Sequence, residues 1–371
     1  VITAKFPHIT IKHTHRGTGK NYADLITAGE IPDIILESRT NVNTNIIGNG
    51  LDYDLADMIK AYKFDLSRIQ KPVLQQMINS NQTGKIYGLP FSVNAYVTFY
   101  NKDIFDKFGV SYPVNGMTWD ETYELARKLT RTDNGTAYHG FQAFEPQFMN
   151  YNALSLSPLS LTEDKATMQT PEWSRLLTDR KRFYEIPGNT YVHVDDFPKG
   201  YIAMASHVSE MVINYPQKNP TMNWDLAALP SYPDKPKTGL QANAYFLFIS
   251  KTSKYKDQAF QVIDYLLSDE VQKQQSRVAS LTPLVSKAVQ QSFGESIPHL
   301  KGKHLDALFY NEYAMPPAPR ADRLIYYNAN AHFGDFTEMI SKNLDVNTTL
   351  RQIDEKINKG IQEEKAKSGA K

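Results

Sequence analysis

The chain has no cysteine, which excludes disulfides, a thiolate metal site and a cysteine nucleophile but fits several compartments equally well. It also has almost no net charge, since 41 basic and 40 acidic side chains leave +1. That balance supplies no field for holding a phosphate backbone, so no nucleic-acid partner is expected. No run approaches the ~20 apolar residues needed to span a bilayer; residues 245–249 are among the most apolar. Val1-Ile2-Thr3-Ala4-Lys5 lacks the basic start and apolar block of a signal peptide, as would a processed or truncated chain. His-Glu-x-x-His, Gly-x-Ser-x-Gly and a phosphate loop are missing as well.

What is present is ordinary for a folded protein: 41% hydrophobic and 22% charged residues. At 371 residues the chain exceeds the ~250–300 at which single cores stop growing, so two lobes are expected. The compositional excess is aromatic, with 22 Tyr and 18 Phe. Flat rings with a polar edge suit sugar faces, and they suit cores too.

Residues 8–12 alternate apolar and polar and 32–36 form a short apolar run, so both read as strands around a short helix over 22–28 closed by Gly29. Strands alternating with helices point to an α/β fold, whose ligands sit beyond the carboxyl ends of the strands. Helical spacing follows over 55–62 and 72–80, then a break at 84–90 and an extended run over 91–100. Its alternation puts Asn94 and Tyr96 on one face. Thr118 and Glu121 form the reciprocal pair of a capping box, which assigns Trp119 to packing at a helix start. Strands are also expected over 224–230 and 243–250, helices over 171–184, 255–267, 269–277 and 350–364, and a disordered tail over 365–371. The proline- and lysine-rich stretch 231–239 and residues 280–283 read as crossings between lobes.

Gly84-Lys85-Ile86-Tyr87-Gly88-Leu89-Pro90, then Tyr100-Asn101-Lys102-Asp103, then Thr118-Trp119-Asp120-Glu121 occur in an order that resembles the extracellular solute-binding proteins of ABC importers. The resemblance is to the carbohydrate-binding family 1, which is like maltose-binding protein, and Gly200-Tyr201-Ile202-Ala203-Met204-Ala205 adds to it. It implies a two-lobed, type II periplasmic-binding-protein-like clamp. Each lobe would be a mainly parallel sheet flanked by helices, with the ligand in the cleft between them. One lobe would take 1–93 and 238–287, the other 96–232 and 288–371, with hinge crossings near 92–96, 232–238 and 280–288. The expected partners are a mono- or oligosaccharide and the importer's permease subunits, with a non-sugar solute such as a peptide as the alternative ligand, because the clamp is shared among many substrates. The expected state is a monomer without cofactor or catalysis, held at the bacterial cell surface by a lipid anchor or free in the periplasm. The family's first strand is expected to be missing, which would make the chain a piece of a longer product.

A sugar site combines short polar side chains, amides and carboxylates with stacked rings. The resemblance and the cleft rule together nominate Asn94 and Tyr96 on the first crossing strand, Asn243 and Tyr245 on the second, and Phe144, Gln147 and Phe148 in a polar-aromatic loop. Tyr326 and Tyr327 offer a late ring platform. His207 and Glu210 follow the Ala203-Met204 turn, where relatives often carry a ring and this chain has no tryptophan. Glu37 and Arg39 follow the first lobe's strand, either as contacts to an acidic sugar or as a solvated ion pair. A hydrolase would need two acids set across a sugar bond; Asp195, Asp196 and Glu312 are available, but neighbouring aspartates on a strand point to opposite faces. His13 and His15 read as surface residues, not as the start of a metal site.

Overall fold

In the computed structural model, which describes residues 2–15, 17 and 21–368, the chain divides into two units: Val1–Asn94 with Ala242–Pro298, and Ala95–Gln241 with His299–Lys371. Its strands are β1 Ile34–Ser38, β2 Gly88–Asn94, β3 Tyr96–Asn101, β4 Arg131–Asp133, β5 Thr136–Tyr138, β6 Gln142–Ala143, β7 Met204–Val208, β8 Trp224–Ala228, β9 Thr238–Gln241, β10 Asn243–Ile249 and β11 Glu312–Ala314. The class is mixed α/β, with sheets flanked by helices.

In the first unit the order is β1-β10-β2, antiparallel throughout. One face of this sheet packs Leu89, Leu247 and Ile249 against Phe260 and Ile263 of the Lys256–Leu266 helix. In the second unit the four-stranded sheet has the order β6-β7-β3-β8, with β3 antiparallel to both neighbours and β6 parallel to β7; the separate β9–β11 pair is parallel. The expectation of mainly parallel sheets is therefore corrected. Every residue of β3 is buried, because this central strand is covered on both faces. Phe99 meets Phe197, Tyr215 and Trp224, whereas Tyr100 meets Phe105 and Tyr112.

Local signals were reliable where they concerned caps. The Tyr22–Ala28 helix has Asn21 and Asp24 as a capping box and ends on Gly29 at φ 69°, the left-handed conformation that glycine adopts without penalty. Thr118 and Glu121 cap the Trp119–Leu129 helix reciprocally, and Trp119 is buried as expected.

Non-local expectations fared less well. Residues 8–12 form no strand, and Ile9 and Ile11 are only half-buried; alternation makes a strand only where a partner ladder accepts it. The run expected over 91–100 is two strands interrupted at Ala95, so Asn94 and Tyr96 belong to different units and do not share a strand face. Residues 231–239 lie wholly inside the second unit, where Tyr232 joins the core and β9 pairs with β11. The second crossing falls instead at Gln241/Ala242. Residues 280–283 stay in the first unit, because Leu281 bridges Val93 and the Pro283 carbonyl accepts from the Gln70 amide. The return crossing is at Pro298/His299. Of the 365–371 tail, residues 369–371 lie outside the described residues, and the rest is helical within Val346–Ser368.

Gly140 sits where a Cβ would collide with the backbone carbonyl of Ala126 in the Trp119–Leu129 helix. Gly140→Ala forces backbone to move in a packed region and is expected to cost more than about 2 kcal/mol, read as a lower midpoint for the second unit in urea unfolding.

Candidate functional site

Antiparallel pairing decides which residues meet. In the first unit the carboxyl ends of β1 and β2 lie beside the amino end of β10, because Ser38 pairs with Tyr245, Tyr245 with Ser92, and Asn243 with Asn94. Glu37, Arg39, Asn94, Asn243 and Tyr245 are thereby gathered at one end of one sheet. Tyr245 is 38% exposed, and Asn94 and Asn243 are half-buried.

Glu37 departs from expectation. It is only 3% exposed, so the solvated ion pair is ruled out as its environment. Its Oε1 accepts from the Ser38 amide at 2.9 Å and from Asn41 Nδ2 at 3.0 Å; its Oε2 accepts from Asn45 Nδ2 at 2.8 Å and from Tyr22 Oη at 3.5 Å.

In the second unit the ends of β6 and β7 and the start of β3 meet in the same way, with Ala143 opposite Ser206 and Tyr96 opposite Val208. Phe144 and His207 stack with centroids 5.6 Å apart and planes 18° apart. Tyr96 Oη donates to Gln147 Oε1 at 3.0 Å, and its buried ring lies against Phe148 and Tyr151. His207 Nδ1 accepts from the Val208 amide at 2.8 Å. A neutral ring then carries its proton on Nε2, which lies 3.3 Å from Asp195 Oδ1. This hydrogen bond holds the Asp195 carboxyl below its ordinary range.

Beneath this end lies a buried ion pair. Arg180 Nε and Nη2 donate to Glu145 Oε2 and Oε1 at 3.0 and 3.1 Å, with side chains 2% and 0% exposed. Tyr184 Oη donates to Glu145 Oε1 at 2.8 Å and accepts from the Ala143 amide at 3.2 Å. The guanidinium carbon is 4.2 Å from the Trp119 ring centroid and 4.3 Å from that of Phe148, close enough for a desolvated cation–π contact. Burial alone would lower the pKa of Arg180, but Glu145's charge and hydrogen bonds outweigh it and raise it.

Several nominated residues are committed elsewhere. Phe148 is 2% exposed in the core, so it supports the loop and is not open to a ligand. Tyr327 shares a hydrogen bond with His332 Nε2 at 2.7 Å, and its half-buried ring fills the space above Gly360. Tyr326 is 39% exposed, and Glu210 is exposed at the start of the Met211–Lys218 helix. Of the candidate hydrolase acids, Asp195 faces His207, and Asp196 accepts from Tyr201 and Lys199. Burial would raise Asp196, but those two hydrogen bonds outweigh it and its pKa is lowered. Neither aspartate has the raised pKa of a general acid. Glu312 is exposed on β11, and His13 and His15 are exposed in coil.

The sequence reading passed over Asn41, Asn45, Glu145, Arg180 and Tyr184. One signal was available: Trp173, Leu176, Leu177 and Arg180 share helical spacing, which puts a charge on an apolar stripe.

Chains of known kind can now be set beside this geometry. Residues 1–273 match the family of bacterial extracellular solute-binding proteins, and the chain belongs to that family. Among curated relatives, a binding protein of Brucella abortus (strain 2308) is 25% identical over 199 residues, 50% of this chain and 48% of that protein. The arabinooligosaccharide-binding protein of Bacillus subtilis (strain 168) is 28% identical over 123 residues, 33% of this chain and 27% of its own. The chain thus spans about half the length of the first of these relatives or less. Among solved structures, the sugar-binding protein MalE of Xanthomonas citri superposes with TM-score 0.76 at 17% identity, covering 100% of this chain and 94% of that one. A Listeria monocytogenes ABC substrate-binding protein in complex with cycloalternan gives 0.70 at 22%, covering 96% and 92%. The fold is that of type II periplasmic-binding proteins.

Removing Arg180 strands the Glu145 carboxylate in the core. Arg180→Met is expected to cost roughly 3–5 kcal/mol, and Glu145→Gln in the same chain to restore much of it, measured by urea unfolding. The Asp195–His207 bond makes a separate prediction. A depressed carboxyl contributes stability that is full above its unfolded value, near 4, and is lost as pH falls through the lower native value. His207→Phe should bring the Asp195 titration back toward the ordinary aspartate range, read by carboxyl-carbon NMR.

Proposed function

We propose that the protein captures a neutral sugar or oligosaccharide outside the cell and hands it unchanged to the permease subunits of a membrane ABC importer. The observation that carries this reading is the chemistry of the two strand ends. Each joins amides and a ring, Asn94, Asn243 and Tyr245 in one unit and Gln147, Phe144 and His207 in the other. Amides match hydroxyls that both donate and accept, and rings match C–H faces. The arabinooligosaccharide and cycloalternan partners of relatives support the same class. The engaged state of Asp195 and Asp196 supports a trap, not a hydrolase. In this reading the crossings at 94/95, 241/242 and 298/299 act as hinges, and the protein works as a monomer, lipid-anchored at the cell surface or free in the periplasm.

A thermal-shift and calorimetry panel of arabinotriose, mannotriose, maltotriose, amino acids and short peptides tests the reading. A sugar at 100 times its Kd stabilises by about 2.7 kcal/mol and should be recovered intact. Tyr245→Ala should weaken that sugar by more than ~1 kcal/mol, the worth of a lost ring contact. A melting shift confined to peptides or amino acids overturns the sugar class, and cleavage of the sugar overturns the trap.

A further inference from the structure

An ionised carboxylate accepts hydrogen bonds and cannot donate them. Any amide bonded to Glu37 must therefore present its nitrogen, which fixes the orientation of Asn41 and Asn45 chemically. The backbone reinforces this. Val42–Ile47 is a π-helical turn, a form frequent at functional sites, and Val42 and Ile46 are fully buried beneath it. Asn43 Nδ2 ties the turn to the Ser80 carbonyl at 2.7 Å, and Asn49 Nδ2 ties it to the Asn45 carbonyl at 3.0 Å. With their nitrogens committed, Asn41 and Asn45 each retain a carbonyl Oδ1 that accepts no hydrogen bond among the described residues, and both side chains are only half-buried. Residues 39–41 lie against β10, the strand that carries Asn243 and Tyr245.

We propose that Glu37 is a positioning residue for specificity: it holds Asn41 and Asn45 nitrogen-inward, so that this end of the first unit offers carbonyl acceptors to the hydroxyls of a neutral, donor-rich ligand. The inference rests on the sugar reading above and narrows it, since two fixed acceptors select ligand groups that donate. Glu37 acts through the asparagines and does not itself touch ligand.

The test is a double-mutant cycle on the full chain, by calorimetry with arabinotriose, mannotriose and maltotriose. Glu37→Gln supplies one donor and one acceptor in place of two acceptors, so one asparagine must turn or lose its bond. It should weaken the best-bound sugar at least fivefold in the wild-type background and have no further effect where Asn41→Ala and Asn45→Ala are already present. A full additional loss in that background, or no loss in wild type, overturns the proposal. A second measurement needs neither a variant nor a ligand: in the wild-type protein the side-chain amides of Asn41 and Asn45 should exchange with solvent far more slowly than that of exposed Asn343, whereas equal rates overturn the clamp. Wild-type protein that binds none of the three sugars counts against the sugar reading, and the amide exchange then decides the clamp separately.

Discussion

The second unit is organised around the bond between Glu145 and Arg180. Both charges are out of water, and taking a charge out of water costs several kcal/mol unless geometry and neighbours compensate. Here the compensation is nearly complete. The pair is bidentate, Tyr184 adds a donor to the carboxylate, and rings from Trp119 and Phe148 face the guanidinium. These partners come from the Trp119–Leu129 helix, the 144–148 segment, the Pro171–Lys181 helix and the turn after it. Phe144 and Gln147, both half-buried, stand on either side of Glu145 in the chain.

The first unit uses the same device with different chemistry. Glu37 is buried at the end of β1, and the groups that donate to it include two asparagine amides, a backbone amide and a tyrosine hydroxyl. A buried acid thus orders a surface segment in each unit. Amides and rings stand around it in both units, with Arg39 beside Glu37 and Asp195 beside His207 as the charged groups.

Nominated site residues fall into two sets with a physical division. Asn94, Asn243, Tyr245, Phe144, Gln147 and His207 lie at strand ends, where alternation and the position of a turn fix their place. Phe148 and Tyr327 were nominated for their rings, and rings serve cores as readily as ligands. Phe148 is buried against Arg180, and the half-buried Tyr327 fills the space above Gly360. Neither determinant is near them in sequence.

The sequence by itself determined the features that depend on neighbouring residues: the Thr118 cap, the left-handed stop at Gly29, the amphipathic helices, and the order of landmarks that marks the family. It also brought out residues that the fold places at strand ends, Asn94, Asn243 and Tyr245 among them. Tertiary structure alone decided the rest. Whether residues 8–12 form a strand depends on a partner ladder, and the placement of 231–239 and 280–283 depends on Tyr232, β11 and Val93. The burial of Glu37 and Arg180 depends on donors and rings brought from distant segments. Capping and periodicity are set within a few residues, whereas strand pairing and the desolvation of a charge are set by whatever the fold places alongside.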